Sequence, residues 1–386
     1  GQPPPQTNVD FDTIARILLV PFPRKSLTLW IVPLYPNTYK LPDYQESGMN
    51  VLVTGGGGYI GSILVRMLLN RGYTVRVLDR FFFGREALQE VQDQIEIIQD
   101  DVRWVNPSVL KDINVIIDLA ALSNDPAGEL DPSKTLEINH QGRVRMARMG
   151  KQQEVQKYLL ASSCSVYGFQ DGLLDEKSPT NPLTTYAQAN LLWEQEVLPL
   201  ADRNFSVTVL RQATVYGLSK RMRFDLAING MVLGFFKNGR IPILRDGKQW
   251  RPMIHVRDTC KAFISVMEAE KELVNGGIFN VGSNEQNYQI YPLAELLAES
   301  LQLPFNYEWY GATDHRSYRV NFDKIKSVLA FSPECTPAQA AREIFDALKS
   351  GTINPDDKRT KTVEWYKHLL ESDALVKKVS MRGAIL

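Results

Sequence analysis

The chain has little cysteine, little histidine and no net charge. Three cysteines, Cys164, Cys260 and Cys335, stand far apart in 386 residues. An odd, scattered set argues against a disulfide framework and a structural zinc, and fits a reducing compartment, the cytoplasm. The four histidines, His140, His255, His315 and His368, are as dispersed, so no metal site is expected. Lysine plus arginine and aspartate plus glutamate both total 44. That balance leaves no basic field to recruit nucleic acid or an anionic membrane. No apolar run reaches the roughly 18 residues that a membrane span needs. The apolar stretch at 14–35 is broken by Pro21, Pro23, Arg24, Lys25 and Pro33. There is no internal repeat. What remains is a globular chain, long enough for one large α/β domain and a smaller one.

Residues 1–48 stand apart from the rest of the chain. They hold eight of the chain's 21 prolines, and Met49 lies directly before the first apolar strand, where a natural start would be. The segment reads either as a non-native extension, vector-derived or translated from upstream, or as a docking arm built on Leu27, Leu29, Trp30, Ile31, Leu34 and Tyr35.

The most informative stretch is Val51-Leu-Val-Thr-Gly-Gly-Gly-Gly-Tyr-Ile-Gly61. An apolar run ends in glycines at 55, 58 and 61 and passes into a helical pattern. A strand that turns tightly into a helix aims unpaired N–H groups and a positive dipole end at a phosphate. The glycines let the backbone approach a pyrophosphate with no Cβ in the way. A second apolar run at 74–78 follows at βαβ distance and ends in Asp79, where a carboxylate accepts from an adenosine ribose. The chain is expected to bind a dinucleotide. Asp79 repels the 2′-phosphate of NADP and so favours NAD, while Arg80 beside it leaves NADP as the alternative.

From Met49 apolar strands alternate with helical patterns. This predicts an α/β fold, a Rossmann-type doubly wound parallel sheet with a smaller C-terminal α/β substrate lobe. Strands are expected at 50–54, 74–79, 95–99, 115–119, 157–162 and 206–211, with another near 278–281. Helices are expected at 59–71, 131–150 and 185–201. Beyond residue 212, helical patterns near 222–237, 257–270, 291–301 and 336–349 alternate with short strands at 241–244 and 305–309. The expected division is an NAD-binding domain over 49–212, a substrate lobe over 213–350 with segments returning to the sheet, and a C-terminal helix and tail over 351–386. Such a lobe caps the C-terminal edges of the strands, where ligands of these sheets bind.

Two hydroxyls suit redox chemistry at that edge. Ser163 ends the fifth strand, and Tyr186 opens a helical run. A tyrosine hydroxyl takes or gives a proton as hydride moves, and a serine orients the reacting oxygen. Ser123, Asn124, Ser165 and Thr214 are expected to border the substrate beside them. Asn124 equally suits an Asx turn before Asp125-Pro126.

Thr54 to Gly61, Leu119-Ala-Ala121, Asn139, Ser163 with Val166-Tyr-Gly168, Tyr186, Val215-Tyr-Gly217, the 251–258 segment and Phe279-Asn-Val-Gly282 succeed one another in a familiar order. From Met49 to about Ser350 the chain resembles the extended short-chain dehydrogenase/reductase superfamily, in its NAD-dependent epimerase/dehydratase branch acting on nucleotide sugars. The resemblance implies that Gly55, Gly58, Tyr59, Ile60 and Gly61 hold the pyrophosphate and that Asp79 with Arg80 holds the adenosine ribose. Asp101 and Val102 would meet the adenine, Asp101 accepting from its amino group. Leu119, Ala120, Ala121 and Asn139 would lie along the cofactor. Tyr186 would be the acid/base and Ser163 its partner on the substrate oxygen. Arg251 and Arg316 would hold the substrate diphosphate, which fork-shaped guanidinium groups suit. A homodimer is also implied, its two helices pairing through Leu136, Val144, Met149, Leu191, Leu192 and Val197.

Two departures shape the functional reading. The family's Tyr-x-x-x-Lys is here Tyr186-Ala-Gln-Ala-Asn190. Positions i and i+4 share a helix face, so residue 190 is expected to point at the same pocket. An asparagine there keeps a ribose hydrogen bond but lacks the positive charge that lowers a tyrosine pKa from about 10. Cys164-Ser165 stand where the family's sugar 4,6-dehydratases carry an acid and a base, so that chemistry is not expected. Cys164 reads as a small buried residue, one place off the cysteine of related 3,5-epimerases. The leading expectation is an NAD-dependent nucleotide-sugar epimerase or 4-ketoreductase. The alternative is an NAD-binding protein with degraded catalysis that serves as a structural or regulatory partner.

Overall fold

The computed structural model describes residues 48–312, 314 and 316–381. The proline-rich segment, with its two readings, and His315 lie outside the described residues. Burial on both faces selects a parallel sheet: Val51, Leu52 and Val53 are all fully buried in the strand Asn50–Thr54, as a strand between two helix layers must be. Across the sheet the order is Gly277–Val281, Ser206–Gln212, Lys157–Ser163, Val115–Asp118, Asn50–Thr54, Thr74–Asp79 and Ile95–Gln99. Every neighbouring pair is parallel. The seven strands fall within one residue of their expected bounds. Their order reverses at Asn50–Thr54, so a crevice opens outside the C-terminal ends of that strand and Val115–Asp118.

One face is covered by Gly61–Leu69 and Val256–Glu268, whose Leu64, Val65, Leu68, Phe263, Val266 and Met267 share a core. The other is covered by the 132–152 stretch and the helix Thr185–Val197, through Val144, Met146, Met149, Trp193 and Val197. Val144, Met149 and Val197 are therefore core residues and not the surface expected of them. Of the six positions named for dimer pairing, only Leu192 is exposed.

The 132–152 stretch is not a single α-helix. Asp131 caps Pro132–Leu136, a π-helical turn Glu137–Gly142 comes next, and the α-helix resumes over Arg143–Gln152. A π turn carries an extra residue and often marks a functional site. Asn139 within it and Arg143 just after it are both fully buried.

In the smaller lobe the helices Ala227–Asn238, Ile290–Ser300 and Pro337–Lys349 bury Ile228, Val232, Leu293, Leu297 and Ile344 together. Ile241–Leu244 pairs with Tyr307–Tyr310, and Trp250–His255 lies between Thr214–Tyr216 and Asn287–Gln289. The helix expected from 222 starts only at Ala227. Arg221, Arg223 and Asp225 before it all turn into one cleft, which a helix would not allow. Among the described residues no helix is long and apolar enough to cross a membrane, and no cluster of His, Cys, Asp or Glu is placed to hold a metal.

His255 caps the helix Val256–Glu268, its Nδ1 accepting the Arg257 N–H at 3.1 Å. Its Nε2 is buried without a hydrogen-bond partner beside the Tyr216 ring, 3.9 Å from a Glu343 carboxylate oxygen. Burial, then Arg257 and Lys261, lower its pKa from 6.5 to about 3. The unfolded chain therefore takes up the proton first, and stability falls as pH drops below the unfolded value. From pH 7 to pH 5.5 the expected loss is about 1 kcal/mol. Urea unfolding at the two pH values measures it, and an unchanged midpoint contradicts it.

Candidate active site

The floor of the cleft is the turn from Thr54 to Gly61. Gly55 lies at φ +69°, and a Cβ there would come within 3.0 Å of the Ala120 nitrogen. At Gly61 a Cβ would lie 2.3 Å from the Gly55 carbonyl oxygen. Only glycine allows a turn this tight against the 119–121 segment. No side chain caps the helix Gly61–Leu69, so its N-terminal end, with Gly58, Tyr59 and Ile60 on the cleft wall, is open to an anion. The Asp79 carboxylate accepts the Gly57 N–H at 2.9 Å, and the Tyr59 hydroxyl donates to the Gly217 carbonyl at 2.6 Å. The fastened, Cβ-free cradle fits a pyrophosphate.

At the end of the second strand, Asp79 also accepts the Phe81 N–H at 2.6 Å. Burial raises its pKa, while those backbone bonds and the Arg221 charge lower it. Arg80, expected to share the ribose with Asp79, turns to Asp101 instead. Its Nη1 donates there at 2.6 Å, and its guanidinium lies 4.6 Å over the Phe82 ring. Asp101 takes three further bonds from Arg103. Burial opposes them, yet the arginines hold its carboxyl down at about 2. With two donors on each oxygen, Asp101 has no lone pair left for an adenine amino group. The expected bond from Asp101 to an adenine amino group would have to displace one of these donors, while the Val102 side chain lines the same wall.

A cation at this end escaped sequence reasoning. Arg221 is 7 % exposed, stacks 3.5 Å over the Phe83 ring and donates to Thr362 at 3.0 Å, while its Nε has no partner. Burial, then Arg223, pull its pKa down to about 10. The helix Thr362–Val379 closes the same end. Its Trp365 donates to the Phe82 carbonyl at 2.6 Å, and its Tyr366 lines the cleft.

In the middle, the Thr54 hydroxyl donates to Asp118 at 2.6 Å and accepts the Leu119 and Ala120 N–H groups at 3.1 Å each. Asn139 stands behind this wall. It accepts the Leu122 N–H at 2.8 Å and donates to the Leu122 carbonyl at 3.0 Å, shaping the wall and not lining the cleft. Ser163, Ser165, Tyr186 and Thr214 all line it. Ser163 and Ser165 share a hydrogen bond, and Thr184 caps the Tyr186 helix by accepting the Ala187 N–H at 3.2 Å. Cys164 is buried with its thiol toward the Arg211 carbonyl, and burial pushes its pKa far up. It is packing. Burial raises the Tyr186 pKa, the Asp125 charge adds to that, and Arg143, then the Asn190 side chain, then Arg223 pull it back down.

Asn190 departs from expectation. It is fully buried and does not line the cleft. Its Nδ2 donates to the Tyr186 carbonyl at 3.1 Å, and its Oδ1 accepts from Arg143 Nη1 at 3.3 Å. Both ends of the short amide are turned to partners inside the protein and away from the cleft wall.

At the far end Arg251 and Arg316 share Asp314: Arg251 donates to it at 2.7 Å, Arg316 at 2.9 and 2.8 Å. Arg251 also donates to the Trp250 and Arg316 carbonyls, and Arg316 to Asp125. Each guanidinium thus engages three of its five N–H donors and keeps two for an anion. Asp125 also accepts the Thr184 hydroxyl at 2.5 Å, which ties this end to the cap of the Tyr186 helix. Asn124 takes the Asx role, accepting the Ala127 N–H at 2.9 Å, and its Nδ2 donates to Asp225 at 2.6 Å. Ser123 accepts from Arg223 at 3.0 Å.

All these ends border one cleft of about 820 Å³. Relatives share its frame. UDP-glucuronic acid decarboxylase 2 of Arabidopsis thaliana is 28 % identical over 309 residues, 76 % of this chain and 67 % of that one. UDP-glucose 4-epimerase of Lactobacillus helveticus is 25 % identical over 309 residues, 74 % of this chain and 92 % of that one. The structure of MoeE5 in complex with UDP-glucuronic acid and NAD matches with a TM-score of 0.70 and 27 % identity, over 78 % of this chain and 99 % of that chain. The model of the NAD dependent epimerase/dehydratase family matches residues 51–282, and the chain belongs to that family.

Proposed function

We propose that the chain is an NAD-dependent enzyme that oxidises or reduces a nucleoside-diphosphate sugar at C4, as a 4-epimerase or a 4-ketoreductase. One observation carries this reading. Ser163 and Tyr186 share a single cleft with the glycine cradle on one side and the Arg251–Arg316 pair on the other. Bound NAD supplies a hydride acceptor and donor; the 55–61 turn, Asp79 and the 119–121 wall are the groups to hold it. Ser163 bonds the reacting sugar oxygen, and Tyr186 takes or returns its proton. Arg251 and Arg316 hold the diphosphate with their remaining donors. Cys164 and Ser165 offer no second acid and base to expel another hydroxyl, which disfavours a dehydratase outcome. The relatives named for UDP-sugars make a UDP-sugar the first substrate to try.

Product analysis by NMR after incubation with UDP-glucose, UDP-glucuronic acid and their 4-keto derivatives tests the reading. Conversion confined to C4 supports it, and inertness toward the whole panel with NAD bound overturns it. The cofactor preference follows from Asp79. NAD is expected to bind at least about ten-fold more tightly than NADP, since a carboxylate facing a 2′-phosphate costs more than ~1.4 kcal/mol. Calorimetric titration decides this, and equal or tighter NADP binding would mean that Arg221 or Arg80 governs the pocket.

A further inference from the structure

A half-buried phenol on a cleft wall, with a carboxylate nearby, is a poor base without a cation, and the residue one turn on from Tyr186 is neutral. Resting on the reading of Tyr186 as the acid/base, we propose that Arg143 is that cation, a positioning residue that acts through Tyr186 by its charge and is held against the Tyr186 helix by Asn190. Arg143 comes directly after the π turn and is 1 % exposed. Its Nη1 holds the Asn190 amide oxygen at 3.3 Å, while the other end of that amide holds the Tyr186 carbonyl at 3.1 Å. Its Nη2 donates to the carbonyls of Asp118 at 2.9 Å and Ala161 at 3.2 Å, at the ends of two central strands. The guanidinium lies 3.1 Å from the centre of the Trp193 ring. It is thus fixed on four sides, so its charge cannot swing away from the tyrosine.

The charged groups acting on Tyr186 are Asp125 from the short helix before it, which opposes ionisation, and Arg143 and Arg223, which favour it. Asp118 lies 3.5 Å from Arg143 Nε and offsets part of its field. Asp118 is also bonded by the Thr54 and Tyr158 hydroxyls, so its charge is already shared. Burying such a pair is costly and is weak evidence for a stabilising role. In a low dielectric, however, the same burial lets the guanidinium field reach the phenol with little screening. The geometry also explains how residue 190 can be asparagine: a lysine there would place a second cation against Arg143.

The test is the near-ultraviolet phenolate titration of the NAD-bound protein, taken as the difference from Tyr186→Phe, which isolates one tyrosine. Arg143→Met is expected to raise the Tyr186 midpoint by about one pH unit, within the range a close charge produces. Arg143→Lys should leave it within a few tenths. An unchanged midpoint in folded Arg143→Met, or the same rise in Arg143→Lys, overturns the proposal. Arg143→Gln, which keeps donors for the Asn190 amide and the Asp118 carbonyl but carries no charge, supplies a second reading if Arg143→Met does not fold. It is expected to raise the midpoint by about the same one unit, and an unchanged midpoint overturns the proposal. No sugar substrate enters these titrations, so they stand or fall separately from the proposed reaction.

Discussion

Tyr186→Phe is expected to lower turnover of a nucleotide sugar by roughly 10²- to 10⁴-fold, the usual worth of a positioned proton acceptor. The substitution removes one oxygen from a ring that lines the cleft and leaves its helix capped by Thr184. No cradle group is touched, so NAD affinity should change by less than about two-fold. Steady-state rates and calorimetric NAD binding on the same preparations read both sides. A variant that turns over as fast as the parent removes Tyr186 from the chemistry. The direction of pH dependence comes from the same residue. Burial raises its pKa, so the rate of sugar oxidation should climb with pH through the alkaline range as phenolate forms.

Arg251→Ala is expected to raise KM for a nucleoside-diphosphate sugar by roughly 10- to 100-fold with kcat little changed. A hydrogen bond to a charged group contributes about 1.5–3 kcal/mol, and tenfold in affinity is 1.4 kcal/mol. Arg251 has two donors left after its bonds to Asp314 and to the Trp250 and Arg316 carbonyls. Its loss leaves Asp314 still paired to Arg316 at 2.8 Å, so no buried carboxylate is stranded. A KM effect without a kcat effect marks binding common to ground and transition states. An unchanged KM would show that the diphosphate lies elsewhere, with Arg223 or Lys237 the next cations on the cleft wall.

The sheet was legible because each central strand is a short apolar run closed by a turn signal, as strands buried on both faces must be. The glycine turn was legible because only one backbone path satisfies that spacing. What sequence could not reveal were the side-chain partnerships formed across it. Asp101 and Arg103 are two residues apart, yet nothing in the spacing says that Arg103 and Arg80 saturate the carboxylate. The helical pattern near 222 hid Arg221 and Arg223, whose burial forbids a helix start before Ala227. Position 190 stands out in the sequence as a neutral residue, but nothing there says that its amide faces Arg143, 47 residues away. A lone arginine after a glycine carries no signal in sequence. Of the apolar stripe on the two helices at 131–150 and 185–201, Val144, Met149 and Val197 face the sheet while Leu192 is exposed, a division that spacing alone does not reveal.

Hydride transfer at C4 of the sugar is the core of the account, and isotopic substitution at that carbon tests it most directly. A nucleoside-diphosphate hexose carrying deuterium at C4 should react more slowly than the protium form, and any C4 epimer formed should retain the label at C4. The same sugar labelled at C5 should react at the unlabelled rate and keep its deuterium. If C4 labelling leaves the rate unchanged and the product loses label at C5 instead, chemistry at C4 is not what this cleft performs, and the roles given to Ser163 and Tyr186 fall with it.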